Sequence, residues 1–115
     1  MTTEAAIKVS SNGKTYAVEI AELETQNIGT WNSALNICRA LRQGGHSDWT
    51  LPTVDELLAI AGQICLRDSR YWTADTYGTA LAAYVLVENG KPVGKWFDNS
   101  REVYSVRAIR RIKGE

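Results

Sequence analysis

Apolar and polar positions alternate with a period of two at both ends of the chain and with a helical period in between. Near the start, Ile7-Lys8-Val9 and Thr15-Tyr16-Ala17-Val18-Glu19-Ile20 flank Ser11-Asn12-Gly13-Lys14. Asn-Gly between alternating runs predicts a β-hairpin, with Tyr16, Val18 and Ile20 on one side of its second strand. A polar connection follows over residues 22–29. Thr30 is then placed to cap a helix reaching about Gln43, with Trp31, Ala34, Leu35, Cys38 and Leu41 on one stripe and Ile37 at its border. Leu57, Leu58, Ala61, Ile64 and Cys65 keep the same period in a second helix from Val54. After Leu66 the pattern becomes extended: a short strand at Tyr71-Trp72-Thr73, another over 81–88, and an Asn89-Gly90 turn into 93–98. A turn at Asn99-Ser100-Arg101 leads into a last strand over 103–112. The pattern predicts one α+β domain over residues 1–115, with an N-terminal hairpin and two helices packed on an antiparallel sheet.

The stretch over 44–58 organises the rest. Gly44-Gly45 supplies the left-handed conformations that end a helix. Pro52 holds Leu51 extended, so neither helix runs through. Thr53 and Glu56 form a capping box, with Asp55 and Glu56 at the positive end of the helix dipole. Trp49 is expected to be buried with its indole N–H on a loop carbonyl, and Asp48 to accept backbone N–H groups.

Composition changes this picture little. The 115 residues are 44% hydrophobic and 23% charged, with 13 basic and 13 acidic residues, as in ordinary globular domains. No apolar run is long enough to cross a bilayer. The first eight residues have neither a basic start nor an apolar stretch. No signal peptide is therefore expected, and the expected location is the cytoplasm or a virion assembled there. Residues 91–115 carry seven bases and three acids. Nucleic-acid domains show a broader excess, so a solvated strand face is expected rather than a phosphate patch. Cys38 and Cys65 both fall at apolar helical positions. Reduced buried thiols are the expected state, and a disulfide between them is the alternative. No cysteine or histidine spacing supports a metal site.

Several motifs, in order, resemble a known family. They are W-x-x-A-x-x-x-C from Trp31 to Cys38, Leu41, Gly44-Gly45, and Asp48-Trp49-x-Leu51-Pro52-Thr53 with Glu56-Leu57. Tyr71-Trp72-Thr73 and Val106-Arg107-Ala108-Ile109-Arg110 complete the set. Over residues 30–111 the chain is similar to the C-terminal domain family of the bacterial collagen-like adhesin Lcl. The resemblance implies a C-type-lectin-like fold, related to the formylglycine-generating-enzyme scaffold, and a role in ligand binding. The family's ligands include sulfated glycans, and its members are surface or phage proteins. Thr50 stands where the family usually has Arg. Ala108 stands where many members have a Cys that would pair with the helix cysteine, so the resemblance supplies no disulfide here.

Chemistry-bearing residues are few. His46 is the one histidine, and its neighbours Ser47 and Asp48 do not make a triad by adjacency. Glu88-Asn89 and Trp96-Phe97-Asp98-Asn99 resemble fragments of lectin calcium motifs. In a hairpin turning at Asn89-Gly90, however, Glu88 and Asp98 sit roughly 23 Å apart, too far to share an ion. No catalytic residue, metal or cofactor is therefore expected. In the lectin-like fold the long segment after the helices carries ligands; here that is Asp75-Thr76-Tyr77-Gly78-Thr79, together with the later turn. Tyr77, Lys95, Trp96, Asn99 and Arg101 are the expected ligand-binding residues, because Tyr, Trp and Arg carry binding energy at interfaces. The expected function is a non-catalytic recognition module for a glycan or protein surface. The alternatives are an intracellular partner or inhibitor protein, and a component of an oligomeric fibre.

Overall fold

A computed structural model describes residues 7–11, 13–22, 26–64 and 66–112. Among these the chain forms two helices and eight strands in two sheets, an α+β architecture. β1 (Ile7–Ser11) and β2 (Lys14–Ile20) make the expected hairpin around Gly13, whose φ of 77° suits a tight turn. β8 (Ile109–Ile112) pairs with the other edge of β2 to give a three-stranded sheet. The larger sheet has the order β3 (Asn27–Gly29), β7 (Tyr104–Val106), β4 (Ser69–Tyr77), β5 (Leu81–Glu88), β6 (Lys91–Asn99).

Two expectations are corrected. The last strand, expected to be continuous and antiparallel, is two strands in different sheets. β7 runs parallel to β4, and the chain leaves the larger sheet at Arg107. Ser105, Val106, Ala108 and Ile109 are all buried around this crossing, so strict alternation is lost where the segment is covered on both sides. Arg107 Nε donates to the Ala21 carbonyl at 2.8 Å, and Ala21 N–H donates to Ala108 at 3.0 Å, which fastens the crossing. Second, β4 extends to Tyr77, and the polar connection before Thr30 contains β3; both are held by cross-strand pairing rather than by local propensity.

The helices lie on opposite faces of the larger sheet. α1 (Trp31–Ala40) and α2 (Val54–Gln63) belong to separate core clusters. Leu57, Ile60 and Ala61 of α2 pack between Val9 and Val18 of the small sheet and Tyr71, Val85 and Val87 of the large one. Ala34 and Cys38 of α1 pack with Trp49, Leu51, Trp72 and Ala82. Tyr71 and Trp72 are successive residues on one strand, and the pleat sends them to the two sides.

The organising stretch behaves largely as its residues dictate. α1 stops at Ala40, short of the expected Gln43, because Leu41 turns extended. The Arg42 guanidinium caps the freed carbonyls of Arg39 and Leu41 at 2.6 and 3.0 Å. Gly44 and Gly45 have φ of 65° and 79°. Thr53 and Glu56 form the reciprocal capping box, with bonds of 3.2 and 2.8 Å. Thr53→Ala is expected to cost about 1 kcal/mol, read as a lower urea midpoint at unchanged slope. Trp49 is buried, and its indole N–H reaches the Gln43 carbonyl at 3.2 Å. Asp48 has a side-chain partner that was not expected: it accepts Arg110 Nε at 2.9 Å, and Arg110 also binds Glu19 at 2.8 Å. Cys38 is a buried free thiol, and Cys65 lies outside the described residues. No helix among the described residues is long and apolar enough to cross a membrane.

Candidate functional site

The expected site residues sit on the hairpins β4–β5 and β5–β6. Tyr77 pairs with Leu81 and Leu81 with Asn99, so these three form one row at the end of the sheet. The expected ligand-bearing loop at 75–79 is absent: Asp75, Thr76 and Tyr77 are strand, and Gly78 at φ 67° turns the chain at once. Tyr77 is 69% exposed and Phe97 46%, and their rings touch with centroids 5.8 Å apart. Lys95 shares the pleat face of Phe97 and Asn99.

Trp96 belongs to the other face. Counting from the Asn89-Gly90 turn alone would pair Tyr84 with Lys95. An extra residue at Val93 shifts the register, so Tyr84 pairs with Trp96 instead. Their rings lie 6.0 Å apart, and Trp96 keeps 46% of its surface exposed. Behind it, Tyr84–Tyr104 and Tyr104–Trp72 contacts of 4.8 Å continue an aromatic row toward α1. The Tyr104 hydroxyl donates to the Asp98 carboxylate. That bond, with the Asn99 backbone N–H, holds the Asp98 pKa below the usual carboxylate range. Burial, then the Asp98 bond and charge, pushes the Tyr104 hydroxyl well above its ordinary value, so it stays protonated.

The five expected residues are therefore not one cluster. Tyr77, Lys95 and Asn99 share a face, Trp96 is on the reverse, and Arg101 lies in the turn beyond β6. Asn99 Oδ1 accepts the Arg101 backbone N–H at 2.9 Å, so half of that side chain holds the turn. Phe97 and Tyr84 were missed, although period-two alternation along 93–98 already separates Trp96 from its neighbours. Trp31, Trp49 and Trp72 donate their indole N–H groups to the carbonyls of Thr73, Gln43 and Gly29. Trp96 makes no such bond among the described residues.

Reactive groups are not assembled here. Burial pushes the Cys38 thiol up to about 12, so it is not a thiolate at neutral pH. Among the described residues no three His, Cys, Asp or Glu side chains converge on a metal-sized site. Glu88 pairs with Lys91 and Asp98 with Ala82, at opposite ends of the hairpin. No known family pattern and no curated protein matches the sequence.

Proposed function

We propose that this chain is a non-catalytic recognition module with a C-type-lectin-like fold of the Lcl C-terminal type. In this reading it grips a glycan or protein surface with the aromatic end of its larger sheet. The observation that carries the reading is that two adjoining hairpins leave rings exposed on both faces: Tyr77 against Phe97 on one and Trp96 on the other. Rings left in water, with Lys95 on the same pleat face as Phe97, suit stacking on sugar faces or burial in a partner. The family reading rests on the ordered motifs between Trp31 and Arg110, from which Thr50 and Ala108 depart. Glycan-array binding by the wild type should be lost in Trp96→Ala and Tyr77→Ala. Both variants should keep their far-UV spectra, and their stability should change by less than about 0.5 kcal/mol. Absence of binding to every glycan would remove the sugar version.

One feature favours a protein partner instead. β6 is an edge strand, open along the segment that carries Trp96 and Phe97. Lysate from the producing organism should then yield one stoichiometric protein on the wild type and none on Phe97→Ala.

A further inference from the structure

The opposite end of β4 and β5 has a different character. β4 and β7 are paired at a single position, Tyr71 with Ser105, and beside that seam lies an open groove of about 490 Å³. Its apolar walls are Ile28 from β3, Val103 before β7 and Leu86 from β5. Ile28 and Val103 are 64% and 54% exposed, and core packing gives neither a reason to be apolar. Arg70 lines the same groove with its guanidinium 5.9 Å from the Tyr84 ring centre and 6.0 Å from that of Tyr104. Rings hold a cation without using its N–H donors. Among the described residues the Arg70 guanidinium makes no hydrogen bond or ion pair.

The neighbouring acids decide what that cation can take. Asp68 is engaged by the Gly90 N–H at 3.0 Å and serves the turn. Asp98 accepts the Tyr104 hydroxyl and the Asn99 N–H and feels the Arg70 charge without bonding to it, so the guanidinium's donors stay unused. Glu88 stands at the groove with no bonded partner among the described residues. A second negative charge on a ligand would meet Glu88, whereas a basic group close to a single carboxylate would be welcomed by it.

We propose that this groove receives the C-terminus of a partner chain: a free carboxylate on Arg70, and an apolar last side chain between Ile28, Val103 and Leu86. A guanidinium and a carboxylate match fork to fork, which fixes the orientation of the chain end. The groove is open, and a free small acid would be covered on one side only, whereas small-molecule sites bury roughly 70–90% of their ligand. A chain end gains the rest of its contact from preceding residues running over the exposed walls. Lys or Arg shortly before the last residue suits Glu88. The groove adjoins the Trp96 face of the larger sheet, since Arg70 stacks on Tyr84 and the Tyr84 ring lies 6.0 Å from Trp96, whereas Tyr77 and Phe97 are on the other face. Peptide selection and the glycan array test the two readings separately, and Tyr77→Ala should leave peptide binding unchanged.

The test is selection from a pool of random heptapeptides with free C-termini on the immobilised full chain, followed by fluorescence anisotropy of the retained sequences. The peptides retained should end in Leu, Ile, Val or Phe and be enriched in an upstream Lys or Arg. Amidating the carboxylate should weaken binding about tenfold or more, as should Arg70→Gln. Arg70→Lys, which keeps the charge but loses the fork, should also bind more weakly than wild type. Glu88→Gln should erase the upstream preference. Arg70 is exposed, so its variants should keep the wild-type far-UV spectrum; if one does not, the amide comparison on the wild type decides alone. No retained peptide, no preference at the last position, equal binding of acid and amide, or wild-type binding by Arg70→Gln would overturn the proposal. N-acetyl-leucine competing as well as the peptide would overturn the chain-end occupant in favour of a free acid.

Discussion

Arg111→Ala is expected to lower the unfolding free energy by about 3 kcal/mol at neutral pH, with the gap narrowing toward about pH 3. Glu56 is fully buried. It accepts Arg111 Nε and Nη2 at 2.7 and 2.8 Å, the Thr53 backbone N–H at 2.8 Å, and the Tyr16 hydroxyl. Burial raises its pKa, but the bonds from Arg111, Tyr16 and Thr53 outweigh burial, and the net value lies below the ordinary carboxylate range. A depressed native pKa means the unfolded chain takes up the proton more readily. The ion pair thus contributes its stability above about pH 4.3 and loses it as pH falls through the native value. Removing Arg111 takes away its bonds and its charge while burial, the largest single cause and a raising one, remains, so the native pKa rises and the pH-dependent contribution shrinks. The expected cost is at the lower end of the range for breaking a buried pair, because Arg111 itself keeps 43% of its side chain in water. Urea unfolding at several pH values reads the effect. A gap that stays constant with pH, or falls below about 1 kcal/mol, would mean that the ion pair does not couple the last strand to α2.

The second large effect is expected at Trp72. Trp72→Ala should cost about 4 kcal/mol, against a total of about 5–15 kcal/mol for a domain of this kind. The ring is fully buried, touches Tyr104 at 4.8 Å, and donates to the Gly29 carbonyl at 2.8 Å. It therefore joins β4, β7 and the end of β3, and its removal leaves both a cavity and an orphaned acceptor. Far-UV circular dichroism against urea is the suitable readout, since it does not depend on the indole that is removed. Trp96→Ala is the internal comparison, equal in chemistry but half in water. Similar losses for the two would contradict the assignment of one ring to the core and the other to the surface.

What the sequence disclosed follows the reach of each interaction. The Thr53–Glu56 box, the Asn89-Gly90 turn and the two glycines after α1 are settled within a few residues, and all three stand as expected. Trp49 was also legible, because a tryptophan between two helix ends has few places to go. Arg111 as the partner of Glu56 was not, since 55 residues separate them and only the packing of β8 beside β2 brings them together. β3 is three residues with no strand signal of their own, formed because β7 offers an edge. Trp96 was chosen as a site residue and is half exposed, but the bulge at Val93 that pairs it with Tyr84 left no mark in the sequence. Arg70 gave no signal at all. Its interest comes from the two tyrosines beneath it, which lie 14 and 34 residues further on.

The crossing at Arg107 also has a temporal consequence. The opening hairpin acquires its third strand only from β8, and Glu19 meets Arg110 across 91 residues of chain. At roughly 5–20 residues per second, the ribosome holds that hairpin with one unmatched side for several seconds. Nothing upstream of residue 109 can close the small sheet, and closure over so long a loop is intrinsically slow. Newly made chains should therefore depend on chaperones until β8 emerges, and stalled chains lacking it should be cleared rather than stored.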